Sequence, residues 1–196
     1  MTTDPMEVIH APDVDAVVVA TPVVSHYELG MAALDAGKHL LVEKPLTSTS
    51  DQGARLIDAA ARRRLVLMVD HTFVNTSAVR KIRDLVRGGE IGELYYYDSV
   101  RINLGLFQRD VDVMWDLAVH DLSIMDVVLA QQPVAVSATG LAHVPGSPVN
   151  IAYLTMFFDR PLMAHVHVNW LARVKVRRTL VGGRRRMIVY DDLEGS

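Results

Sequence analysis

Two short groups of polar residues have the types and the spacing that proton transfer requires. Glu43-Lys44-Pro45 places a carboxylate and an ammonium directly after the apolar run His39-Leu-Leu-Val42. Asp116 and His120 are four residues apart in a predicted helix, so both side chains lie on one face. An ammonium can hold a hydroxyl group, and an Asp beside a His can fix its tautomer and raise its basicity, as a general base requires.

Each group also has a simpler interpretation. Glu43 and Lys44 could form a solvated ion pair at the end of a strand, which contributes little to stability. Asp116 and His120 could be a surface pair one helical turn apart, worth about 0.2–0.5 kcal/mol. A shared metal ion is a third alternative, but no further ligand with matching spacing is evident.

The first third of the chain alternates predicted strands and helices. Capping boxes at Ser25-x-x-Glu28 and Thr49-x-x-Gln52 predict two helix starts. The predicted elements are a strand at 15–21, a helix to about Ala36, a strand at 39–42, a helix to about Arg64 and a strand at 65–69. This β-α-β-α-β order favours a parallel sheet with right-handed crossovers, and its ligands would bind at the carboxyl ends of the strands.

Beyond about residue 72 the pattern changes to strands that follow one another without helices between them. The sequence predicts helices at 77–87 and 113–130, and strands at 93–103, 135–143, 151–158, 162–171, 174–181 and 187–190. Consecutive strands indicate a mostly antiparallel sheet. We therefore predict an α/β partial Rossmann-type parallel sheet over residues 1–72, followed by an α+β domain with a mostly antiparallel sheet over 73–196.

The composition excludes several classes of protein. A net charge of −3 and a pI near 6.2 argue against binding to nucleic acid or to an acidic membrane surface. The chain has no cysteine, which excludes disulfides and thiolate zinc sites and suits a reducing cytoplasm. The longest apolar runs are too short to cross a bilayer, so we expect no membrane partner.

Taken together and in order, several segments resemble the Gfo/Idh/MocA oxidoreductases, the group of glucose–fructose oxidoreductase and inositol dehydrogenase. These segments are Asp15–Pro22 with His26, Ala33–His39 leading to Glu43–Leu46, Trp115–Asp121, and Asn169–Leu171 with Lys175–Arg178. The segment Trp115-Asp-Leu-Ala-Val-His-Asp121 is similar to that of members that oxidise sugar nucleotides.

The resemblance implies hydride transfer between NAD or NADP and a carbon of a sugar or nucleotide sugar. It assigns Lys44 to hold the reacting hydroxyl, His120 to act as the acid/base, and Asp116 to orient His120 and help bind the sugar. No metal ion takes part.

The resemblance also assigns binding residues on both sides of the reaction. Thr21, Pro22 and His26 would lie along the cofactor, and Glu43 would contact its nicotinamide ribose. The candidate substrate residues are His71, Asn75, Lys175 and Arg177. Ordinary caps, turns and solvated strand edges remain alternatives for all of these residues.

The chain departs from the family at both ends, because it lacks the acidic residue that binds the adenosine ribose and it stops well before the members' C-terminal end. It contains no Gly-x-Gly-x-x-Gly turn for a pyrophosphate. We therefore expect a fragment of a longer enzyme, in which the strand at 16–20 exposes an apolar edge. We also expect a homodimer or homotetramer through the antiparallel sheet, and a non-catalytic remnant that serves as a dimerisation or sugar-binding module is the alternative.

Overall fold

The computed structural model describes residues 2–105, 108 and 110–194, and the chain divides into two compact units, residues 1–71 and 72–196. Each unit has its own sheet and its own hydrophobic core. Among the described residues, no helix is both long enough and apolar enough to span a bilayer.

The first unit alternates helices and strands. Its elements are α1 (Pro5–Ile9), β1 (Ala16–Val19), α2 (His26–Asp35), β2 (His39–Glu43), α3 (Ser50–Arg63) and β3 (Leu67–Asp70). The strands are parallel in the order β1-β2-β3, which confirms the predicted parallel sheet. Leu34 of α2 and Leu56 of α3 are fully buried against Leu40 and Val42 of the central strand.

Of the two helix starts predicted from capping residues, only the one at Thr49 is formed by a side-chain cap. Thr49 caps α3 as predicted, because its hydroxyl accepts from the main-chain N of Gln52 at 3.3 Å. The predicted capping box at Ser25 is wrong. A 3-10 turn at Val23–Ser25 precedes α2, and the Ser25 hydroxyl instead donates to the carbonyl of Pro22 at 2.8 Å. The backbone of Ser25 is helical rather than extended, so its side chain cannot take the capping position.

The second unit packs two long helices against a six-stranded sheet. Its elements are α4 (Ser77–Arg87), β4 (Leu94–Leu104), α5 (Val119–Leu129), β5 (Ala135–Leu141), β6 (Ile151–Phe158), β7 (Arg160–Asn169), β8 (Leu171–Gly183) and β9 (Met187–Asp191). The strand order is β5-β6-β7-β4-β8-β9. β4 pairs in parallel with β7, and the other pairings among the described residues are antiparallel, which confirms the predicted mostly antiparallel sheet.

The helix predicted over 113–130 has two parts. A π-helix at Met114–Ala118 comes first, and α5 continues from Val119. The inward face of α5 is buried against the sheet through Ile124, Met125 and Val128. Because π-helical turns widen the backbone ladder by one residue and often occur at functional sites, this segment is a candidate for function.

Candidate functional site

The carboxyl ends of the three parallel strands place the candidate residues of the first unit along one edge of the sheet. Thr21 and Pro22 follow β1, Lys44 follows β2 and His71 follows β3. The register pairs Glu43 with Asp70, so the ends of β2 and β3 are level. Lys44 therefore leaves the central strand at the edge where open parallel sheets bind their ligands.

The Glu43-Lys44-Pro45 turn is internally ordered. The Glu43 carboxylate accepts a hydrogen bond from the main-chain N of Lys44 at 3.2 Å, and the Lys44–Pro45 peptide bond is cis. The side chains of Glu43 and Lys44 are partly buried. Both therefore retain a surface that a ligand can contact.

His26 has a role that the sequence did not suggest. Its side chain is only 1% exposed, with Nδ1 2.9 Å from the carbonyl of Pro45 and Nε2 2.8 Å from the carbonyl of Thr21. The ring therefore ties the turn after β1 to the turn after β2. Its assignment along the cofactor stays a prediction, and the geometry adds a structural role beneath the two loops.

His71 is the third residue of interest at this edge. Its Nδ1 is buried and has no hydrogen-bond partner among the described residues. Burial lowers the pKa of His71 below its usual value, the charge of Asp70 opposes that shift, and the charge of Lys44 adds to it. The lowered pKa favours the neutral imidazole, and the buried Nδ1 has an unfilled hydrogen-bonding position.

The lowered pKa of His71 predicts that acid weakens the first unit. The stabilisation is complete above about pH 6.5, the ordinary His value, and is lost as pH falls towards the folded-state pKa. The sign follows because the unfolded chain binds a proton that the folded chain does not. His71→Gln should flatten the decrease in the denaturation midpoint, measured by circular dichroism, between about pH 7.5 and 5.5. The exposed His10→Gln is the control, and equal pH slopes in wild type and His71→Gln would contradict the prediction.

In the second unit, Asp116 lies in the π-helix and His120 in the first turn of α5. The indole nitrogen of the fully buried Trp170 donates to the Asp116 carboxylate at 3.0 Å. Both Asp116 and His120 are partly buried. The Asp116 side chain is therefore anchored from the core, and its predicted part in orienting His120 stays a prediction.

Phe73, which the sequence analysis did not identify, contacts His120 and two arginines. Phe73 meets His120 edge-to-face, with ring centroids 5.0 Å apart and an interplanar angle of 82°. The guanidinium of Arg101 lies 4.6 Å from the same ring centroid, and that of Arg177 lies 5.7 Å from it. Arg177 also pairs with Asp192 at 3.2 Å.

Two of the predicted site residues, His120 and Arg177, therefore both contact the ring of Phe73. The other two substrate candidates of this unit, Asn75 and Lys175, are exposed. Arg101 was missed, although one signal in the sequence could have indicated it. Side chains alternate between the two faces of a strand, and Arg101 is two and four residues after Ser99 and Tyr97. It therefore lies on the same, buried face of β4 as they do.

Two family sequence patterns match consecutive parts of the chain. Residues 1–71 match the oxidoreductase family with an NAD-binding Rossmann fold, and residues 79–189 match the GFO/IDH/MocA C-terminal domain. The two matches together cover most of the chain.

Individual relatives agree with these matches. The chain is 29% identical over 187 residues to UDP-N-acetylglucosamine 3-dehydrogenase of Acidithiobacillus ferrooxidans, which covers 94% of this chain and 58% of that protein. It is 33% identical over 150 residues to 1,5-anhydro-D-fructose reductase of Ensifer adhaerens, which covers 71% of this chain and 44% of that protein. The solved structure of the Acidithiobacillus enzyme superposes with a TM-score of 0.84 at 27% identity, covering 97% of this chain and 59% of the other.

The chain spans at most about three-fifths of the length of these relatives. Within that span, the family matches cover residues of both units, and the fold superposes on that of a relative. The chain belongs to the GFO/IDH/MocA oxidoreductase family.

Proposed function

We propose that the protein is an NAD(P)-dependent oxidoreductase that transfers a hydride between the nicotinamide and a hydroxyl-bearing carbon of a sugar or nucleotide sugar. The observation that carries this proposal is the position of Lys44, which follows the central parallel strand beside Glu43. The names of the related sugar-nucleotide and sugar enzymes support the substrate class.

The residues at the edge of the first sheet fit the ribose of a nicotinamide cofactor. Glu43 offers a partly buried carboxylate, Thr21 an exposed main-chain and hydroxyl surface, and His71 a buried nitrogen without a partner among the described residues. A carboxylate and an imidazole nitrogen are both acceptors for ribose hydroxyls. The bound nicotinamide supplies the hydride acceptor or donor.

In the proposed mechanism the protein's own residues handle the proton and the hydroxyl. Lys44 holds the reacting hydroxyl through its ammonium, and His120 removes the hydroxyl proton during oxidation and returns it during reduction. Asp116, anchored by Trp170, helps to orient His120 and the sugar. Arg177 and Lys175 bind the more distant part of the substrate, and a phosphate suits their charge.

The test is NAD(P)H formation, followed by absorbance, with UDP-N-acetylglucosamine and related nucleotide sugars as substrates, in a longer enzyme that supplies the Gly-rich pyrophosphate segment to this chain. Lys44→Ala and His120→Ala should each lower kcat about 10²–10⁴-fold, the range typical of lost acid–base catalysis. Lys81→Ala on the exposed face of α4 is the matched control and should leave the rate unchanged. Undiminished turnover in both active-site variants would contradict the assignment, and calorimetric binding of the sugar without turnover would favour the non-catalytic module.

We propose in addition that the protein forms homodimers or homotetramers through the outer face of the six-stranded sheet. This face, the open sheet face, carries side chains that alternate with the buried ones. Its exposed apolar members include Tyr153, Phe157, Met163, Met187 and Val189, which are 43–56% exposed. Tyr153 also stacks on His167 with ring centroids 4.3 Å apart. Exposed apolar and aromatic side chains that share one face of a sheet are typical of protein interfaces.

A charge placed in the open sheet face should dissociate the oligomer. Met163→Asp buries a carboxylate in the proposed interface, so we expect the mass from light scattering to fall to that of a single chain. Ile57→Asp replaces another exposed apolar residue, on α3, and should leave the mass unchanged. An oligomer that persists in Met163→Asp, or a wild type that is already monomeric, would contradict the proposal.

A further inference from the structure

Asp121, the neighbour of His120, is held by an unusually complete set of contacts from β4. Its carboxylate accepts from the Ser99 hydroxyl at 2.5 Å, from Arg101 Nε at 2.7 Å and from Arg101 Nη2 at 3.4 Å. The Tyr97 hydroxyl donates to the main-chain oxygen of Asp121 at 3.1 Å. Burial, followed by the charge of Asp121, raises the pKa of Tyr97, so the phenol remains a donor.

The energetics of this pair do not favour a purely stabilising role. The side chains of Arg101 and Asp121 are only 4% and 2% exposed. Arg101 Nη1 is also buried, without a hydrogen-bond partner among the described residues. Removing two charges from water is costly, and well-packed apolar residues are often as stable as a buried ion pair or more so. The pair therefore calls for an explanation other than stability.

The Arg101–Asp121 pair lies next to His120 in the helix and can therefore affect the orientation of the helix turn that carries His120. His120 and Asp121 are consecutive residues in the first turn of α5, about 100° apart around the helix axis. The π-helix at Met114–Ala118 ends immediately before this turn, so a regular α-helical ladder does not set its rotation. The contacts of Asp121 with Ser99 and Arg101 of β4 are an alternative constraint on that rotation, and the direction of the neighbouring His120 side chain depends on it.

The same arginine also supports the His120 ring from the side. The Arg101 guanidinium stacks on Phe73, 4.6 Å from the ring centroid, and the Phe73 ring meets His120 edge-to-face. Arg177 lies over the same ring at 5.7 Å, but its side chain is 31% exposed and it pairs with Asp192. Arg101 is thus the more buried of the two, and it contacts both Asp121, the neighbour of His120, and Phe73, which meets the His120 ring.

We propose that Arg101 and Asp121 are positioning residues for His120, with Ser99 fixing the carboxylate and Phe73 transmitting the contact to the imidazole. The catalytic consequence rests on the proposed function. The positioning itself does not depend on it, because it concerns only the orientation of the His120 ring.

The first experiment is NMR spectroscopy of the histidine-labelled protein, with the His120 ring signals assigned by their loss in His120→Gln. Asp121→Asn retains the shape of the side chain but removes its negative charge. Arg101→Lys retains the positive charge but removes the forked N–H donors and the planar surface of the guanidinium. We expect the His120 ring protons to shift and broaden in both variants. Val128→Ala, which creates a cavity in the same helix away from the pair, is the control and should leave these signals in place.

Two outcomes overturn the proposal. One is that the His120 signals of Asp121→Asn and Arg101→Lys overlay on those of the wild type. The other is that they move equally in Val128→Ala, because the response then reports general destabilisation. Should the charge variants fail to fold, Ser99→Ala removes a single hydrogen bond and is judged by the same two criteria.

The enzymatic readout separates this proposal from the proposed function. In the active enzyme, Arg101→Lys should lower kcat about 10- to 100-fold with KM unchanged, because misplacement of a catalytic group by about 1 Å costs that much. A catalytically inactive wild-type protein whose His120 signals respond as expected would reject the proposed function and uphold the positioning role. Full kcat in Arg101→Lys would overturn the positioning role while the proposed function stands.

Discussion

Replacement of Arg101 by Met should destabilise the second unit by about 3–5 kcal/mol, because it leaves the Asp121 carboxylate buried without its cation. A triple variant, Ser99→Ala/Arg101→Met/Asp121→Leu, removes the whole polar cluster and should recover most of this loss. The Ser99 change is needed because its hydroxyl would otherwise remain buried without its acceptor, at a cost of about 1–3 kcal/mol.

Denaturant unfolding followed by tryptophan fluorescence measures this effect in the relevant unit. The chain has two tryptophans, Trp115 and Trp170, and both lie in the second unit. An Arg101→Met variant as stable as wild type would show that Asp121 is not buried as a charge. A triple variant as unstable as Arg101→Met would show that the polar cluster is itself stabilising. A stable triple variant whose His120 signals are disordered would instead demonstrate that stability and positioning are separate.

The sequence predicted those parts of the fold that have a local physical cause. Apolar runs indicated β1 and β2 as strands, and Thr49 indicated where α3 begins. The continuous apolar run at β1 also suggested burial on both faces, which is wrong, because its residues alternate in burial and Val18 is 66% exposed. The alternation of strands and helices then implied parallel pairing. The position of Lys44 at the carboxyl end of β2 followed from the same reasoning.

Features that depend on distant contacts could not be predicted in this way. β4 lies between β7 and β8 in the second sheet, and alternating burial sets the face of each strand but not its neighbours. The buried bridge from His26 to Pro45 joins residues 19 apart, and the Ser99 and Arg101 contacts to Asp121 span 22 and 20 residues. The π-helix ahead of His120 has no composition that distinguishes it from an α-helix.

Trp170 is the second position where we expect a large effect, because it joins the core to the candidate site. It is 0% exposed, and its indole nitrogen donates to Asp116 at 3.0 Å. Its main-chain N donates to the carbonyl of Asn150 at 2.9 Å, and Trp170 lies between β7 and β8. Trp170→Ala should cost about 3–5 kcal/mol, as expected for a large aromatic residue removed from a core.

The two contributions of Trp170 can be separated because a smaller aromatic residue retains much of its packing. Trp170→Phe keeps an apolar ring but removes the donor to a carboxylate, a bond worth about 1.5–3 kcal/mol, so its loss should be smaller than that of Trp170→Ala. Trp115 remains as the fluorescent probe in both variants. Phe158→Leu is the control, since it shrinks a buried aromatic side chain of the same core.

The decisive comparison is between stability and turnover. If Trp170 serves only the core, Trp170→Phe should lower the free energy of unfolding as Phe158→Leu does, and kcat should change in neither variant. We expect instead that kcat falls in Trp170→Phe, because the indole no longer helps to hold the Asp116 carboxylate in one orientation. Equal kcat in Trp170→Phe and wild type would remove the indole from the site and leave Trp170 a residue of the core alone.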